Sequence, residues 1–321
     1  MNDRVLTALR DLTQEDIGRR GLATDPACNL LTACAGDFMR ACRHIAGTPH
    51  PAIAVVTGFY IPHAQPPAGE TDGPLGALFL ARALVPLGMR VVLVTDAFCA
   101  RALEVGLAEC ELAKAVPVVT LPAPAECTSS AEYVRHVAEH AGPLTHLIAL
   151  ERVGPSHVHE AIPAEHRDRC HTMRGLDITD KMSPAHLLFE AAAHMTPAVA
   201  TIGIGDGGNE IGMGKISRDV IERNIPRGGL VACRVPTDDL IVCGISNWGA
   251  YGLAAGVRYL HGQKDGPADL FDPERERQLL QVMVEQGPLV DGVKGMPSVT
   301  VDGIAFDRYG EILRQMMAVV D

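Results

Sequence analysis

Short apolar runs alternate with segments of helical periodicity through most of this sequence, and this alternation limits the possible folds more than any other feature. Each run has the length of a buried strand, and most are followed by the apolar spacing of a helix. The pattern is typical of βαβ units, in which helices cover both faces of a mainly parallel sheet. The predicted strands are Ala52–Tyr60, Arg90–Asp96, Val116–Leu121, Thr145–Leu150, Ala198–Ile204, Leu230–Val235 and Leu240–Gly244.

The predicted helices have the end signals expected of helices. Pro74–Leu87 begins with proline, and Gly88 follows its last residue. The other predicted helices are Ala97–Cys110, Ser130–His140, Pro184–Met195, Ser217–Asn224, Trp248–Tyr259, Pro273–Gln286 and Ala305–Val319. We therefore expect one α/β domain over residues 48–321, with an N-terminal helical extension, residues 1–47, packed on it.

Composition excludes several classes of protein. With 28 basic and 39 acidic residues among 321, the net charge is −11, and the basic residues form no cluster that would bind nucleic acid. The N-terminal residues lack the apolar run of a secretion signal, and no apolar stretch approaches the ~18 residues of a membrane span. Nine cysteines without a C-x-x-C pair indicate reduced thiols in a cytoplasm: Cys28, Cys34, Cys42, Cys99, Cys110, Cys127, Cys170, Cys233 and Cys243.

The glycine-rich segment Gly203–Lys215 is the densest local motif. It begins with G-x-G-x-x-G between a predicted strand and a predicted helix, a context typical of dinucleotide binding. Asp206 and Glu210, however, would place negative charge where a pyrophosphate must lie. The glycine spacing does not fit a P-loop either, and Ile216 stands where that motif needs Ser or Thr. We therefore expect no nucleotide.

Carboxylates follow three of the predicted strands. Glu70 and Asp72 come after the first, Glu151 after a later one, and Asp206 and Glu210 lie in the glycine-rich segment. The carboxyl ends of parallel strands meet at one edge of a sheet, so these groups should converge. Carboxylates at close range repel unless a cation or protons intervene. We expect Asp206, Glu210 and Glu151 to bind one divalent cation, magnesium or manganese, although capping by Asp72 or a solvated turn would also account for single acids.

A polar stretch between Val153 and Thr179 shows no clear periodicity. His157 and His159 have a spacing that could chelate a metal, but no third ligand completes a zinc pattern. The chain also lacks a G-x-S-x-G nucleophile elbow, and nothing local supports cysteine catalysis.

Several short segments stand out by their order along the chain: Gly69–Pro74, Glu151–Arg152, Met173–Gly175, Gly205–Lys215, Ser246–Gly249 and Asp291–Val293. Together, and in this order, they resemble the D-glutamate cyclase family. The resemblance runs from about residue 50 to residue 303 and implies a Rossmann-like α/β core. It also implies conversion of D-glutamate to 5-oxo-D-proline with loss of water. Mitochondrial members carry additional N-terminal sequence, so the chain resembles a stand-alone bacterial-type member. Its His-rich turn over residues 155–171 is longer than expected for the family.

Cyclising glutamate requires a neutral amine and an electrophilic γ-carboxyl group. Positioned carboxylates can take the amine proton, and a cation can polarise the carboxyl oxygen. The expected catalytic residues are Asp72, Glu70 and Glu210, and the expected substrate-binding residues are Arg152, Arg174, Asn209 and Asn247. The sequence leaves open a metal-dependent hydrolase of another small acidic substrate, a non-catalytic amino-acid or metal sensor, and homo-oligomerisation. The expected partner is a small-molecule substrate, with neither nucleic acid nor membrane.

Overall fold

A six-stranded parallel sheet forms the centre of the protein in a computed structural model, which describes residues 3–126, 129–262 and 267–321. The strands of the described residues are β1 (Ala52–Thr57), β2 (Tyr60–Ile61), β3 (Ala68–Gly69), β4 (Arg90–Thr95), β5 (Val118–Thr120), β6 (His146–Leu150), β7 (Ala200–Gly205), β8 (Asp239–Val242), β9 (Thr300–Val301) and β10 (Ile304–Ala305). The central sheet has the order β5-β4-β1-β6-β7-β8, and each neighbouring pair is parallel.

Helices cover both faces of this sheet. They are α1 (Asp3–Thr13), α2 (Leu30–Ala33), α3 (Asp37–Gly47), α4 (Pro74–Leu84), α5 (Ala97–Glu109), α6 (Ser130–Ala141), α7 (His186–Ala192), α8 (Arg218–Asn224), α9 (Gly228–Val231), α10 (Ser246–His261), α11 (Pro273–Gln286), α12 (Phe306–Tyr309) and α13 (Glu311–Val320). Alternate residues of β1 enter two separate cores: Ile53 and Val55 pack on one face, and Ala54 and Val56 on the other. The predicted α/β fold with a parallel sheet covered on both faces is confirmed.

The strand order identifies where a ligand would bind. Counted along the chain, the six central strands lie in the Rossmann order 3-2-1-4-5-6, which reverses direction between β1 and β6. In open parallel sheets, ligands bind beside the carboxyl ends of the strands at this reversal. The loops after β1 and β6 therefore lie beside the expected binding site.

Two predicted elements differ in the structure. Leu230–Val235 was expected to be a strand, but Gly228–Val231 is a helical turn in which the Ala232 amide donates to the Gly228 carbonyl at 2.9 Å. An apolar run this short has no period that separates strand from helix. The predicted helix Ala305–Val319 is interrupted at Gly310, which ends α12 and precedes α13.

The N-terminal extension shares its core with the sheet. Leu6, Leu9 and Phe38 are buried in the same cluster as Ile53 of β1. The residues after α1, 14–22, form an irregular segment that we call the N-terminal arm. The extension itself is confirmed, whereas the domain boundary after residue 47 stays a prediction.

The N-terminal arm docks on the carboxyl end of β8. The Gly244 amide donates to the Thr13 carbonyl at 2.8 Å. A side chain at Gly244 would place its Cβ 1.8 Å from the Glu15 carbonyl oxygen, so only glycine permits this approach. The contact holds the arm beside the edge of the sheet where the site is expected.

Within the described ranges, no helix has the length and apolarity needed to cross a lipid bilayer. Each cysteine there is a free thiol. Cys127 of the predicted thiol set lies outside the described residues.

Candidate active site

A cavity of about 110 Å³ opens beside the ends of β1 and β6, at the reversal of strand order. Its polar walls come from loops that are far apart in sequence. The lining residues are Arg20, Phe59, Ile61, His63, Glu70, Glu151, Thr172, Met173, Arg174, Asn209, Gly292, Val293 and Asp302.

Carboxylates converge at this cavity and behind it. One oxygen from each of Asp72, Asp206 and Asp302 lies within 4.8 Å of the others, and Glu151, Asp206 and Glu210 form a second set with the same spacing. Asp206 belongs to both sets. The structure thus brings together the three predicted metal ligands, Glu151, Asp206 and Glu210, and adds Asp302, which the sequence did not indicate.

The Asp72 carboxylate caps a helix. It accepts the backbone amides of Ser246 and Asn247 at the start of α10, at 2.9 and 2.8 Å, and that of Gly73 at 3.1 Å. Asn247 caps the other helix in return: its side-chain oxygen accepts hydrogen bonds from the backbone amides of Gly73 and Gly76 at the start of α4. Asp72 and Asn247 therefore tie two helix N-termini together, and the backbone amides at the start of α10 point at the Asp72 carboxylate.

The Glu210 carboxylate accepts hydrogen bonds from the backbone of the loop in which it lies. Its Oε1 accepts the amides of Asp206 and Gly207 at 2.9 and 2.6 Å, and its Oε2 accepts the amide of Gly208 at 2.7 Å. Each carboxylate oxygen has about two acceptor positions, so Glu210 has about one left for a cation. These hydrogen bonds stabilise the conformation of the loop that contains Asp206.

Asp206 and Glu70 have no comparable donors among the described residues. Asp206 is fully buried, and neither of its carboxylate oxygens accepts a hydrogen bond. The Glu70 carboxylate faces the cavity and packs against Gly292, where an added Cβ would lie 2.0 Å from its Oε2. Buried carboxylates without donors are costly unless they are protonated or paired with a cation.

Glu151 lines the cavity from the end of β6. Its backbone φ is 46°, a left-handed conformation that non-glycine residues seldom adopt. Strain of this kind is concentrated at functional sites. Its Oε2 accepts a hydrogen bond from the Ser246 hydroxyl, which ties it to the start of α10.

Burial and mutual repulsion change the protonation of this cluster. Burial above all raises the pKa of Glu70, Glu151 and Asp206 well above their usual range, and neighbouring acids add to the rise. Burial and the charge of Asp302 raise the pKa of Asp72 to about 8. In the absence of a bound cation, the site therefore holds protons at neutral pH.

Arg20 is a component of the site that the sequence analysis missed. One guanidinium nitrogen, Nη2, lies 3.2 Å from Asp206 Oδ2 and 2.7 Å from Asp302 Oδ2. No motif marks Arg20, which lies in the N-terminal arm. Asp302 shows only an Asp-Gly turn signal, downstream of the matching phrase Asp291–Val293.

The predicted substrate-binding residues occupy different positions. Arg174 and Asn209 line the cavity, and Asn209 donates to the His171 carbonyl at 2.8 Å. Arg152 is fully buried, forms an ion pair with Asp96 and donates to the Gly58 and Ser183 carbonyls, so its guanidinium belongs to the loop framework. Asn247 is engaged between α4 and α10. Of the predicted catalytic residues, Glu70 lines the cavity, whereas Asp72 and Glu210 do not.

Fold and site together define a class: an α/β protein with a small carboxylate-lined pocket at the reversal point of a Rossmann-like sheet. A family model described as D-glutamate cyclase-like, C-terminal, matches residues 9–317. The chain therefore belongs to the D-glutamate cyclase-like family. It is 27% identical over 292 residues to a protein of Homo sapiens named D-glutamate cyclase, mitochondrial. That match covers 84% of this chain and 46% of the human protein, so the chain spans about half of its relative's length.

Proposed function

We propose that this protein is a lyase that converts D-glutamate, or a closely similar amino acid, into 5-oxo-D-proline and water. Family membership and the human relative support the reaction class. The observation that carries the proposal is the contrast within the acid cluster: Glu70 and Glu151 face the cavity, whereas Asp72 and Glu210 are occupied by backbone amides.

The reaction needs proton transfer more than a covalent nucleophile. The ammonium group loses two protons as its nitrogen attacks the γ-carbon, the bond between this carbon and one carboxyl oxygen breaks, and the oxygen leaves as water with two protons. Glu70 and Glu151 lie where they can accept protons from nitrogen and deliver them to oxygen. Burial raises the pKa of both groups well above the usual range and so favours the protonated form, which can deliver a proton to the departing oxygen. Ring closure is intramolecular, so holding the substrate folded supplies much of the acceleration.

The cavity has polar groups suited to both ends of such a substrate. The acid cluster attracts the ammonium group. Arg174 is exposed at the cavity and can pair with a substrate carboxylate, and Asn209 lines the same cavity. Arg152 and Asn247 would then act by holding the loops in place.

A divalent cation, magnesium or manganese, fits the donor set. Asp206 has two buried oxygens without hydrogen bonds, Glu151 faces the same space, and Glu210 retains about one acceptor position. These three residues would hold the ion, which when bound would polarise the γ-carboxyl group and offset the repulsion between the acids.

The deciding experiment is incubation with D-glutamate, followed by NMR detection of 5-oxoproline. L-Glutamate serves as the stereochemical control, and the reaction is run with Mn²⁺, with Mg²⁺ and with a chelator. Product from D-glutamate supports the proposal. Absence of product with either metal would reject the cyclase assignment, in favour of a sensor if D-glutamate still binds.

The metal assignment is tested separately with Asp206→Asn and Glu210→Gln. Loss of Mn²⁺ content in folded variants, measured by elemental analysis, is the expected result. Wild-type metal content in both would show that the loop after β7 does not bind the ion. Loss of activity with metal content retained would assign the two residues to proton transfer or substrate binding.

A further inference from the structure

We propose that Arg20 is the cation bound within the carboxylate set Asp72, Asp206 and Asp302, and that it competes with a divalent metal ion for Asp206, the one acid that this set shares with the proposed metal ligands. The inference rests on the proposed function only in taking a divalent cation as the competitor. It assigns a role to the N-terminal arm that catalysis by Glu70 and Glu151 does not require.

The geometry places the guanidinium where a metal ion would bind. Nη2 of Arg20 contacts one oxygen of Asp206 and one of Asp302, at 3.2 and 2.7 Å. A Mg²⁺ or Ca²⁺ ion binds carboxylate oxygens at roughly 2.0–2.6 Å. An ion bound by the Asp206 carboxylate would therefore lie within a few ångströms of this permanent positive charge. Full occupancy by one cation weakens the binding of the other.

The arm is built to hold Arg20 in place. The Asp16 carboxylate accepts the backbone amides of Arg20, Gly21 and Leu22, at 2.8, 3.0 and 3.3 Å. The close approach at Gly244 fixes the preceding residues against the end of β8. The Arg20 side chain is 22% exposed, so it enters the site from a defined loop.

No other basic side chain in the described part of the chain forms an ion pair with the five acids of the two sets. Arg174 lines the cavity, but its hydrogen bond goes to the Val293 carbonyl at 2.9 Å. Burial alone would lower the pKa of Arg20, but Asp206, Asp302 and Glu151 raise it by more, so the guanidinium stays charged. Neutralisation of the cluster therefore depends on Arg20, on protons, or on an added ion.

The test measures Mn²⁺ binding to the full chain without substrate, by the EPR signal of free Mn²⁺. Arg20→Met is compared with Arg19→Met, which makes the same substitution at the neighbouring exposed residue of the arm. We expect Arg20→Met to bind Mn²⁺ at least tenfold more tightly than the wild type, and Arg19→Met to match the wild type. Equal or weaker binding by Arg20→Met, or no Mn²⁺ binding by either variant, would overturn the proposal.

A second measurement needs no variant. Hydrogen exchange of the wild-type amides of residues 14–22 is followed with and without saturating Mn²⁺. Competition predicts faster exchange in the arm when Mn²⁺ is bound, because the ion displaces the guanidinium. Unchanged or slower exchange would contradict it, and this result stands even if Arg20→Met does not fold.

Failure of this inference differs from failure of the proposed function. Tighter Mn²⁺ binding by Arg20→Met without any 5-oxoproline would keep Arg20 as the resident cation and reject the cyclase. Formation of 5-oxoproline with unchanged Mn²⁺ affinity in Arg20→Met would support the cyclase and reject the competition between Arg20 and the metal ion.

Discussion

The loop after β1 and the loop after β7 each contribute two acids to the site, and in each loop the two acids have opposite surroundings. Asp72 and Glu210, the later acid of each pair, accept three backbone amides apiece. Of the earlier acids, Asp206 accepts no hydrogen bond from the described residues and contacts only the Arg20 guanidinium, and Glu70 faces the cavity. The same residue type therefore builds the loop at one position and is left available for ligand or protons at the other.

The number of backbone amides that a carboxylate accepts therefore separates structural acids from reactive ones more clearly than the burial of the side chain does. All four side chains are nearly inaccessible to solvent. Glu70 and Asp206 depend on protons or cations for compensation more than Asp72 and Glu210, each of which also accepts three backbone amides. Substitutions to the uncharged amide should therefore have opposite effects in the two groups.

The largest effect is expected for Glu70→Gln. Removing a general acid–base group costs about 10²–10⁴-fold in rate, so 5-oxoproline formation should fall about 10³-fold. Thermal stability should hold or rise, because an amide of nearly the same shape replaces a carboxyl group that is buried without donors. Calorimetry and the NMR assay measure the two quantities. A large drop in melting temperature would show that Glu70 builds its loop as Asp72 does.

Glu210→Gln should instead destabilise the protein. Hydrogen bonds to a charged group contribute about 1.5–3 kcal/mol each, and a glutamine amide can replace only part of the three. We expect the free energy of unfolding to fall by about 3 kcal/mol in urea titration. Asp206→Asn, four residues earlier in the same loop, is the matched control and should be less destabilised. If both variants lose equal stability, the contrast between the two acids of this loop is wrong.

Gly292→Ala should disturb Glu70 without altering its charge. The new methyl group would meet Glu70 Oε2 at 2.0 Å and force that carboxylate to move. A displaced catalytic group gives a smaller loss than a missing one, so activity should fall about tenfold. Gly303→Ala is a poorer control, because Gly303 has a φ of 77° and alanine would be strained in that left-handed conformation. Gly47→Ala, with no atom near its added Cβ, is the suitable one.

The smallest effect concerns pH. Asp72, with its pKa raised to about 8, holds a proton in the folded state between about pH 4 and pH 8 that the unfolded chain releases. The metal-free protein should therefore lose stability as pH rises through this window, by about a few degrees in melting temperature. Saturating Mn²⁺ should flatten the dependence by replacing protons. A metal-free melting temperature that rises from pH 5 to pH 8 would contradict the raised pKa values.

The fold was predictable because its signals are local. Strand-length runs such as Ala52–Val56 and the Pro74 helix start need only neighbouring residues to be recognised. The convergence of Glu70, Glu151 and Asp206 followed from the rule that parallel strands end at one edge. The helical turn at Gly228–Val231 was missed because so short a run has no readable period.

The sequence could not predict which acids accept backbone amides and which face the cavity, because this depends on amides from other parts of the chain. Asp72 is saturated by the start of α10, far away in sequence. Arg152 was expected to bind substrate, yet its partner Asp96 follows a different strand. Arg20 reaches the cavity only because Gly244 lets the arm approach β8. Such pairings are consequences of the tertiary fold.

The long sequence separation between Arg20 and its acidic partners also determines when the site can be completed during synthesis. On the ribosome Asp206 is made 186 residues after Arg20, and Asp302 is made 282 residues after it. At ~5–20 residues per second, on the order of tens of seconds pass between the synthesis of Arg20 and that of Asp302, its second acidic partner. A nascent chain therefore has the arm and the β1 strand long before it has both acidic partners of Arg20, and the pocket is complete only after Asp302 has been made.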